Sequence, residues 1–277
     1  QGTQKVQDRE EFPPVADALG SKLTIINQAS LGGAGGFSLS MTATVAPRTS
    51  GVVLPPSHDV EVEPEGIFRS IQFSRFSSRP TIVGGHMFDL LDKPILHAYA
   101  ESIDLHPFTW QPSFDEQIRH DFRVANLRQT PWMHARLDAD YNGWWMCMIP
   151  VEIITDIGLS LPVFIKWDDS EYGLRARAAG YRTVSFPGSA LWHISWIDKD
   201  DSQDWQAYYH ARNRLVAGLL HSPYSKGGRL LSNSGRISLK HLLSMQSYAV
   251  ELRNEAIRDL LTGPEHRIEL VNPGYAS

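Results

Sequence analysis

The segment Phe164-Ile165-Lys166-Trp167-Asp168-Asp169-Ser170-Glu171-Tyr172-Gly173 constrains this chain more than any other. The apolar run Leu161 to Ile165 predicts a buried strand, and the helix formers from Glu171 to Ala179 predict a helix stopped at Gly180. Three carboxylates then fall at a strand-to-helix junction. Acids in a first helical turn are favoured by the macrodipole, and aspartate is a common N-cap, so part of the cluster has a purely structural explanation. Trp167 directly before the pair, and His193 after the following strand, are groups that a cap does not need. In open α/β sheets ligands lie at the carboxyl ends of strands, where these groups would meet.

With 277 residues the chain could form one large domain or two small ones. A net charge of −5 leaves no global electrostatic case for nucleic acid. Cys147, the only cysteine, cannot pair internally, which fits a reducing compartment; inside the apolar run Trp144 to Ile149 it reads as core. Gln1 to Glu11 lacks the apolar centre of a secretory signal. The region Trp144 to Ile165 is broken by Pro150, Glu152, Asp156 and Pro162, which marks a folded core and not a membrane span. Several of the eight tryptophans stand beside polar or acidic residues. Sugar sites share that pattern, because ring faces stack on CH-rich sugar faces while carboxylates and amides hold hydroxyls.

Along the chain, a short helix is expected over residues 9–19 before Gly20, then a strand over Lys22 to Asn27 running into a glycine-rich loop, Leu31 to Phe37. Gly32, Gly33, Gly35 and Gly36 would let a diphosphate approach the backbone, although the loop lacks the features of a P-loop or a dinucleotide fingerprint and a flexible turn explains it nearly as well. Residues Ser38 to Ser57 follow neither helical nor strand periodicity, although a helix and a strand should follow there. Glu63-Pro64-Glu65 opens a helix reaching about Phe76 with Ile67, Phe68 and Ile71 inward, and Thr81 to Gly85 reads as a strand. Residues 86–140 read as irregular. Alternation from Tyr141 to Ala190 indicates α/β layers. Beyond Ser202, the spacing of Trp205, Tyr208, Tyr209, Leu215, Val216, Leu219 and Leu220 predicts a helix, and a second long one runs from about Ile237 to Leu261. The expected organisation is one domain over 1–200 and a helical subdomain over 201–277.

Further groups bear on chemistry. In Tyr141-Asn142-Gly143-Trp144-Trp145, one indole can be core while its neighbour lines a cleft. Of Ser57-His58-Asp59, only Asp59 is a good hard-metal ligand. His193 reads either as a buried, satisfied histidine or as a ligand. His210-Ala211-Arg212-Asn213-Arg214 offers cations and an amide suited to phosphate or hydroxyls. Lys226, Arg229, Arg236, Lys240 and His241 read as a solvated face, with contact to anionic lipid the alternative.

Taken together, WDDSEYGLR, YNGWW, SALWHISW, DKDDSQDWQAYYHARNRL and NQASLGGAGGF resemble the family of polymerising UDP-galactofuranose galactofuranosyltransferases that build actinobacterial cell-wall galactan, from about Phe12 to His266. The resemblance implies an α/β, GT-A-like (Rossmann-like) fold, here incomplete at its N-terminus, with an acceptor half over 140–200. It implies an inverting transfer from UDP-galactofuranose to a lipid-linked galactan, a Mn²⁺ or Mg²⁺ cofactor, a homo-oligomer, and a cytoplasmic location peripheral to the inner face of the plasma membrane. By motif, Asp169 becomes the general base, and Asp168 and Glu171 would orient acceptor hydroxyls. Tyr141, Trp144, Trp145 and Trp110 would line the acceptor cleft, with Glu101 and His210 beside them. Gly32, Gly33, Gly35 and Gly36 would face the donor diphosphate, and Asp59 and His193 the metal. Three departures stand out: Ser57-His58-Asp59 replaces an acidic triplet, Leu39 to Pro56 barely matches, and the family protein is much longer. A non-catalytic carbohydrate-binding remnant and a metal-dependent hydrolase using Asp168, Asp169 and His193 are the competing expectations.

Overall fold

The computed structural model describes residues 5–28, 31–46, 50–54, 60–115, 118–135, 137–195 and 203–263. Two compact units divide the chain at Ser30 and Leu31. In the first, α1 (Phe12–Leu19) carries prolines in its opening turn, where no backbone donor is needed, and stops at Gly20. The strand expected over Lys22 to Asn27 does not form. Within the described part of this unit no strand lies alongside to pair it, and Ile25 and Ile26 remain about half exposed.

The second unit is built on a mixed sheet with strand order β1 (Val52–Val53), β8 (Cys147–Pro150), β3 (Thr81–Asp89), β9 (Arg182–His193) and β2 (Val60–Val62). Strand β4 (Leu96–Ala98) adds to β3, and β7 (Asp138–Ala139) to β9. The central pair, β3 and β9, runs parallel from Thr81↔Arg182 to Asp89↔His193. Strand β3 is apolar on both faces because helices and loops cover both, as a central strand requires. The region read as irregular therefore contributes four short strands, including the ribbon β5 (Glu101–Asp104) with β6 (Thr109–Pro112). Among them Glu101 bridges Tyr141, and the Ile103 N–H donates to the Asp140 carboxylate at 2.9 Å.

Against one face pack α2 (Gly32–Val45), α4 (Val151–Ile157) and α5 (Asp168–Ala178), around Met41, Ile82, Trp144, Cys147, Ile149, Ile153, Tyr172 and Ala176. Cys147 is a buried core thiol, as expected. The glycine-rich segment is thus the start of a helix and not a loop, and the unreadable stretch after it supplies the rest of that helix and β1. Packing of Phe37, Met41 and Val45 into the core holds it helical despite poor propensity, and the Ser40, Thr42 and Thr44 hydroxyls are satisfied by donating to the carbonyl four residues back. Helix α3 (Pro64–Phe76) forms as expected but presses its Gly66–Ser70 face on the sheet, where Ser70 and Ser189 hydroxyls meet at 2.6 Å. That close approach turns Phe68 outward, 56% exposed, against expectation.

The buried strand expected over Leu161 to Ile165 is absent. Phe164, Lys166 and Trp167 all have left-handed backbone angles (φ 73°, 64° and 67°), which cannot continue an extended ladder. Beyond residue 202 comes α6 (Gln206–His221), and the second long helix is broken into α7 (Leu230–Leu243) and α8 (Ser247–Thr262). The break, at left-handed Met245, folds α8 back so that its Arg253 reaches Ser234 and Ser238 of α7. Residues Leu31 to Ser277 count as one compact unit, with α6 packed on α5.

Candidate functional site

Helix α5 begins at Asp168, so both aspartates stand in its first turn, where unpaired backbone N–H groups and the helix dipole favour negative charge. Gly173, one and a half turns on, brings α5 against Tyr141: a Cβ there would lie 2.3 Å from the Tyr141 Cβ and 2.6 Å from the Asp140 carbonyl. At the other side, Gly32 (φ 70°) lies where a Cβ would meet the Phe164 carbonyl at 2.2 Å, and the Ala34 N–H donates to that carbonyl at 3.0 Å. Two glycines thus let α2, α5 and the Tyr141 segment converge.

Between them opens a cavity of about 400 Å³. Its acids are Glu101, Asp168 and Asp169; its aromatic walls are Trp110, Tyr141, Trp145 and Trp167; His97, Lys166 and His210 complete the polar lining. Trp110 and Trp167 stack at 4.7 Å, and the His210 ring meets Trp110 edge-on at 5.0 Å. The Trp110 indole N–H donates to the Ser170 hydroxyl at 3.2 Å, and the Trp145 indole N–H to the Gly85 carbonyl at 2.9 Å. The buried Trp167 indole N–H finds no partner among the described residues, which leaves a donor in an otherwise aromatic wall. A larger hollow of about 850 Å³ lies around Thr81, Arg182 and Val184, at the opposite ends of β3 and β9. Among the described residues no carboxylate lines it.

Electrostatics separate the acids. Burial, and then the charge of Asp169, push the Asp168 carboxyl up to about 7. Burial also raises Asp169, but the Ser170 N–H at 2.6 Å, Lys166 and the Trp144 N–H all favour its ionised form. Burial pushes Glu101 up to about 7 against the hydrogen bond it accepts from the Tyr141 hydroxyl at 3.2 Å. At neutral pH Asp169 is the carboxylate of the pair with the strongest local support for its charge, and Asp168 the one that retains a proton.

Seven residues singled out in the sequence meet here: Glu101, Trp110, Tyr141, Trp145, Asp168, Asp169 and His210. Others do not. Glu171 points into a buried cluster, accepting two bonds from Arg175 (3.1 and 2.9 Å) and lying 3.0 Å from His221. Trp144 lies behind the cavity, edge-on to Phe37 and Tyr172. The two indoles of the Trp pair do face opposite ways. Gly33 sits at the α2 terminus, where a Cβ would be 3.9 Å from the Asp168 carboxylate, while Gly35 and Gly36 lie further along the helix. Arg212, Asn213 and Arg214 are buried and donate to backbone carbonyls, so they are not available to phosphate. Of the basic cluster, His241 is buried against Gln246, and the other four are exposed. His193 ends β9 in register with Asp89 and Val60, and its ring nitrogen lies 2.6 Å from the Ile194 carbonyl. Asp59 lies outside the described residues. Among the described residues no group of three or more His, Cys, Asp and Glu is arranged to hold a metal ion. Sequence reasoning missed His97, which only the β3–β4 pairing brings in, and it weighed Trp167 but not Lys166 beside the pair.

The mixed sheet with helices packed on it and a helical region at its C-terminal end is a GT-A-like glycosyltransferase fold. The crystal structure of GalNAc-T7 with UDP, GalNAc and Mn²⁺ shares it, with a TM-score of 0.50 over 78% of this chain and 40% of that one, at 11% identity. The chain belongs to the family described as Glycosyltransferase like family 2, which matches residues 4–218. It is 42% identical over 276 residues to galactofuranosyltransferase GlfT2 of Mycolicibacterium smegmatis, covering 98% of this chain and 43% of that protein. Against galactofuranosyltransferase GlfT2 of Mycobacterium tuberculosis it is 42% identical over 272 residues, again covering 43% of the relative. The chain thus spans less than half the length of these curated relatives. Among the described residues no helix is long and apolar enough to cross a membrane.

Proposed function

We propose that this chain carries the acceptor site of an inverting galactofuranosyltransferase, which moves galactofuranose from UDP-galactofuranose to a growing, lipid-linked galactan. The observation that supports this reading is the Asp168–Asp169 pair at the mouth of α5, in a cavity walled by Trp110, Trp145 and Trp167. Indole faces bind the CH-rich faces of an acceptor sugar, and Glu101 and His210 hold its hydroxyls. Asp169 accepts the proton of the attacking hydroxyl, and the oxygen displaces UDP from the anomeric carbon with inversion. Asp168, protonated, offers a hydrogen-bond donor beside it. Lys166 places a positive charge next to the base and keeps it ionised.

His193 and the α2 terminus at Gly32, Gly33, Gly35 and Gly36 are the proposed donor contacts. A divalent cation, Mn²⁺ or Mg²⁺, held by Asp59 and His193, would offset the charge of the departing diphosphate; of these two ligands only His193 lies among the described residues. Helix α7 exposes Leu231, Leu239 and Leu243 beside Arg236 and Lys240, a face we assign to peripheral contact with an anionic cytoplasmic membrane surface or to assembly with further copies.

Calorimetric titration of UDP, with and without Mn²⁺, comes first, followed by transfer to a galactofuranose acceptor by the chain and by its Asp169→Asn variant. Transfer lost at least ~1000-fold in the variant, with unchanged UDP binding, supports the reading. A folded chain that binds no UDP in either condition would reduce it to a carbohydrate-binding remnant, and equal activity in the variant removes Asp169 from the mechanism.

A further inference from the structure

We infer that Arg212 and Asn213 on α6 are positioning residues for the Asp168–Asp169 pair, acting through the strained segment 163–167. The inference rests on the reading of Asp169 as the base. The segment that precedes the pair has no ladder to hold it, and three of its residues other than glycine are left-handed. Left alone, such a stretch would relax toward the commoner basins and carry the aspartates with it. Side chains from one turn of α6 prevent this. The Asn213 amide donates to the carbonyls of Val163 (3.1 Å), Ile165 (2.7 Å) and Lys166 (2.9 Å). Arg212 donates to Val163 at 2.8 Å and to the Asn213 side-chain oxygen at 2.9 Å, which fixes how the amide faces.

Arg212 is an unusual choice for a structural residue. It is 2% exposed, and among the described residues no carboxylate pairs with it; its guanidinium lies over the rings of Tyr208 and Tyr209 at 5.2 and 5.0 Å. A buried, uncompensated cation is a poor source of stability, so its use here points to a geometric requirement. The next residue repeats the device on the opposite wall. Arg214 donates to the carbonyls of Phe108 (2.7 Å) and Pro107, where Phe108 is left-handed (φ 59°) and its chain runs into Trp110. With His210 on the cavity wall itself, two turns of α6 touch or hold both sides of the site.

The test compares Asn213→Ala with Asn213→Asp. If donors to the three carbonyls are what matters, kcat falls at least tenfold in the alanine variant and at least as far in the aspartate variant, with the donor KM within threefold. If the residue only fills space, the isosteric aspartate retains activity and alanine does not, which overturns the inference. Amide hydrogen exchange supplies a readout independent of transfer: exchange of residues 163–169 should accelerate at least tenfold in either variant while β3 and β9 stay protected. Exchange unchanged at 163–169 overturns the inference whatever the activity. If the wild-type chain transfers no sugar, the proposed function fails and the exchange result decides the positioning role. Arg212→Lys, which keeps the cation and loses the bond orienting Asn213, gives a smaller loss of the same kind and covers the case in which the Asn213 variants do not fold.

Discussion

Asp168→Asn should make the protein more stable at pH 8 and leave it nearly unchanged at pH 4.5. In the folded chain the Asp168 carboxyl releases its proton near 7, because it is buried and faces Asp169. In the unfolded chain it does so near 4. Between those values the folded state binds the proton and the unfolded state does not, so stability falls as pH rises, by ~1.4 kcal/mol per pH unit. The full window amounts to ~4 kcal/mol, present below pH 4 and lost above pH 7. Asparagine resembles the protonated acid in shape and cannot ionise, so the variant escapes the loss. His86 works in the opposite direction, since burial holds its imidazole down to about 3 and stability there rises with pH through the histidine range. Both proteins contain His86 and Glu101, so the difference between them reads the Asp168–Asp169 pair. Urea unfolding of both at pH 4.5, 6 and 8 reads it, and a gap that opens by at least ~2 kcal/mol is expected. A gap constant with pH would refute the reasoning, and a variant less stable at pH 8 would show that Asp168 is ionised and stabilised in the fold.

Glu171→Gln should destabilise by about 2 kcal/mol, through loss of the charge-assisted bonds to Arg175 and the contact with His221, and leave kcat within a few-fold; thermal unfolding and transfer assays read the two effects. A hundredfold loss of kcat would return Glu171 to the acceptor site. Gly173→Ala meets backbone at 2.6 Å, which no rotamer relieves, so α5 must move; about 2 kcal/mol of stability and ~100-fold in kcat should go together. Because burial raises Asp169, kcat/KM for the acceptor should climb as pH rises above the ordinary carboxylate range and fall again as Asp168 loses its proton near 7, and a flat profile would remove the carboxylates from the rate-limiting step.

What the sequence disclosed depended on where each signal lay along the chain. The WDDSE segment and the YNGWW turn were legible because their spacing is local: the helix start places both aspartates, and a turn, not a strand, sends Trp144 into the core and Trp145 to the cavity wall. Glu171 was misread for the same reason. Its neighbours in sequence line the cavity, but two positions beyond Asp169 it faces Arg175 and His221. The glycine-rich stretch looked like a loop because glycine has low helix propensity; core packing of Phe37 and Met41 and the close fit to Phe164 override that. Leu161 to Ile165 looked like a strand because apolar runs do not distinguish a strand from a buried, irregular segment, and nothing within the run discloses left-handed angles at Phe164 and Lys166. His97 carries no local signal at all.

The Arg212-Asn213-Arg214 segment shows why side-chain type alone misassigns such residues. Two cations and an amide on a helix suit phosphate in the abstract, but burial of 2%, 1% and 7% exposure removes them from solvent. A buried donor set must find acceptors, and the acceptors nearest at hand are carbonyls of segments that lack a ladder. The requirement runs both ways: segment 163–167 leaves strand geometry only because donors outside the ladder donate to its carbonyls, and those donors tolerate burial only because the carbonyls are there. The same exchange accompanies the packing of α6, the first helix of the expected C-terminal helical region, on α5. A helix that holds the segment ahead of the Asp168–Asp169 pair and the turn ahead of Trp110 cannot be detached without releasing both walls of the cavity, so the cavity is a property of residues 97–214 acting together and not of the carboxylate motif.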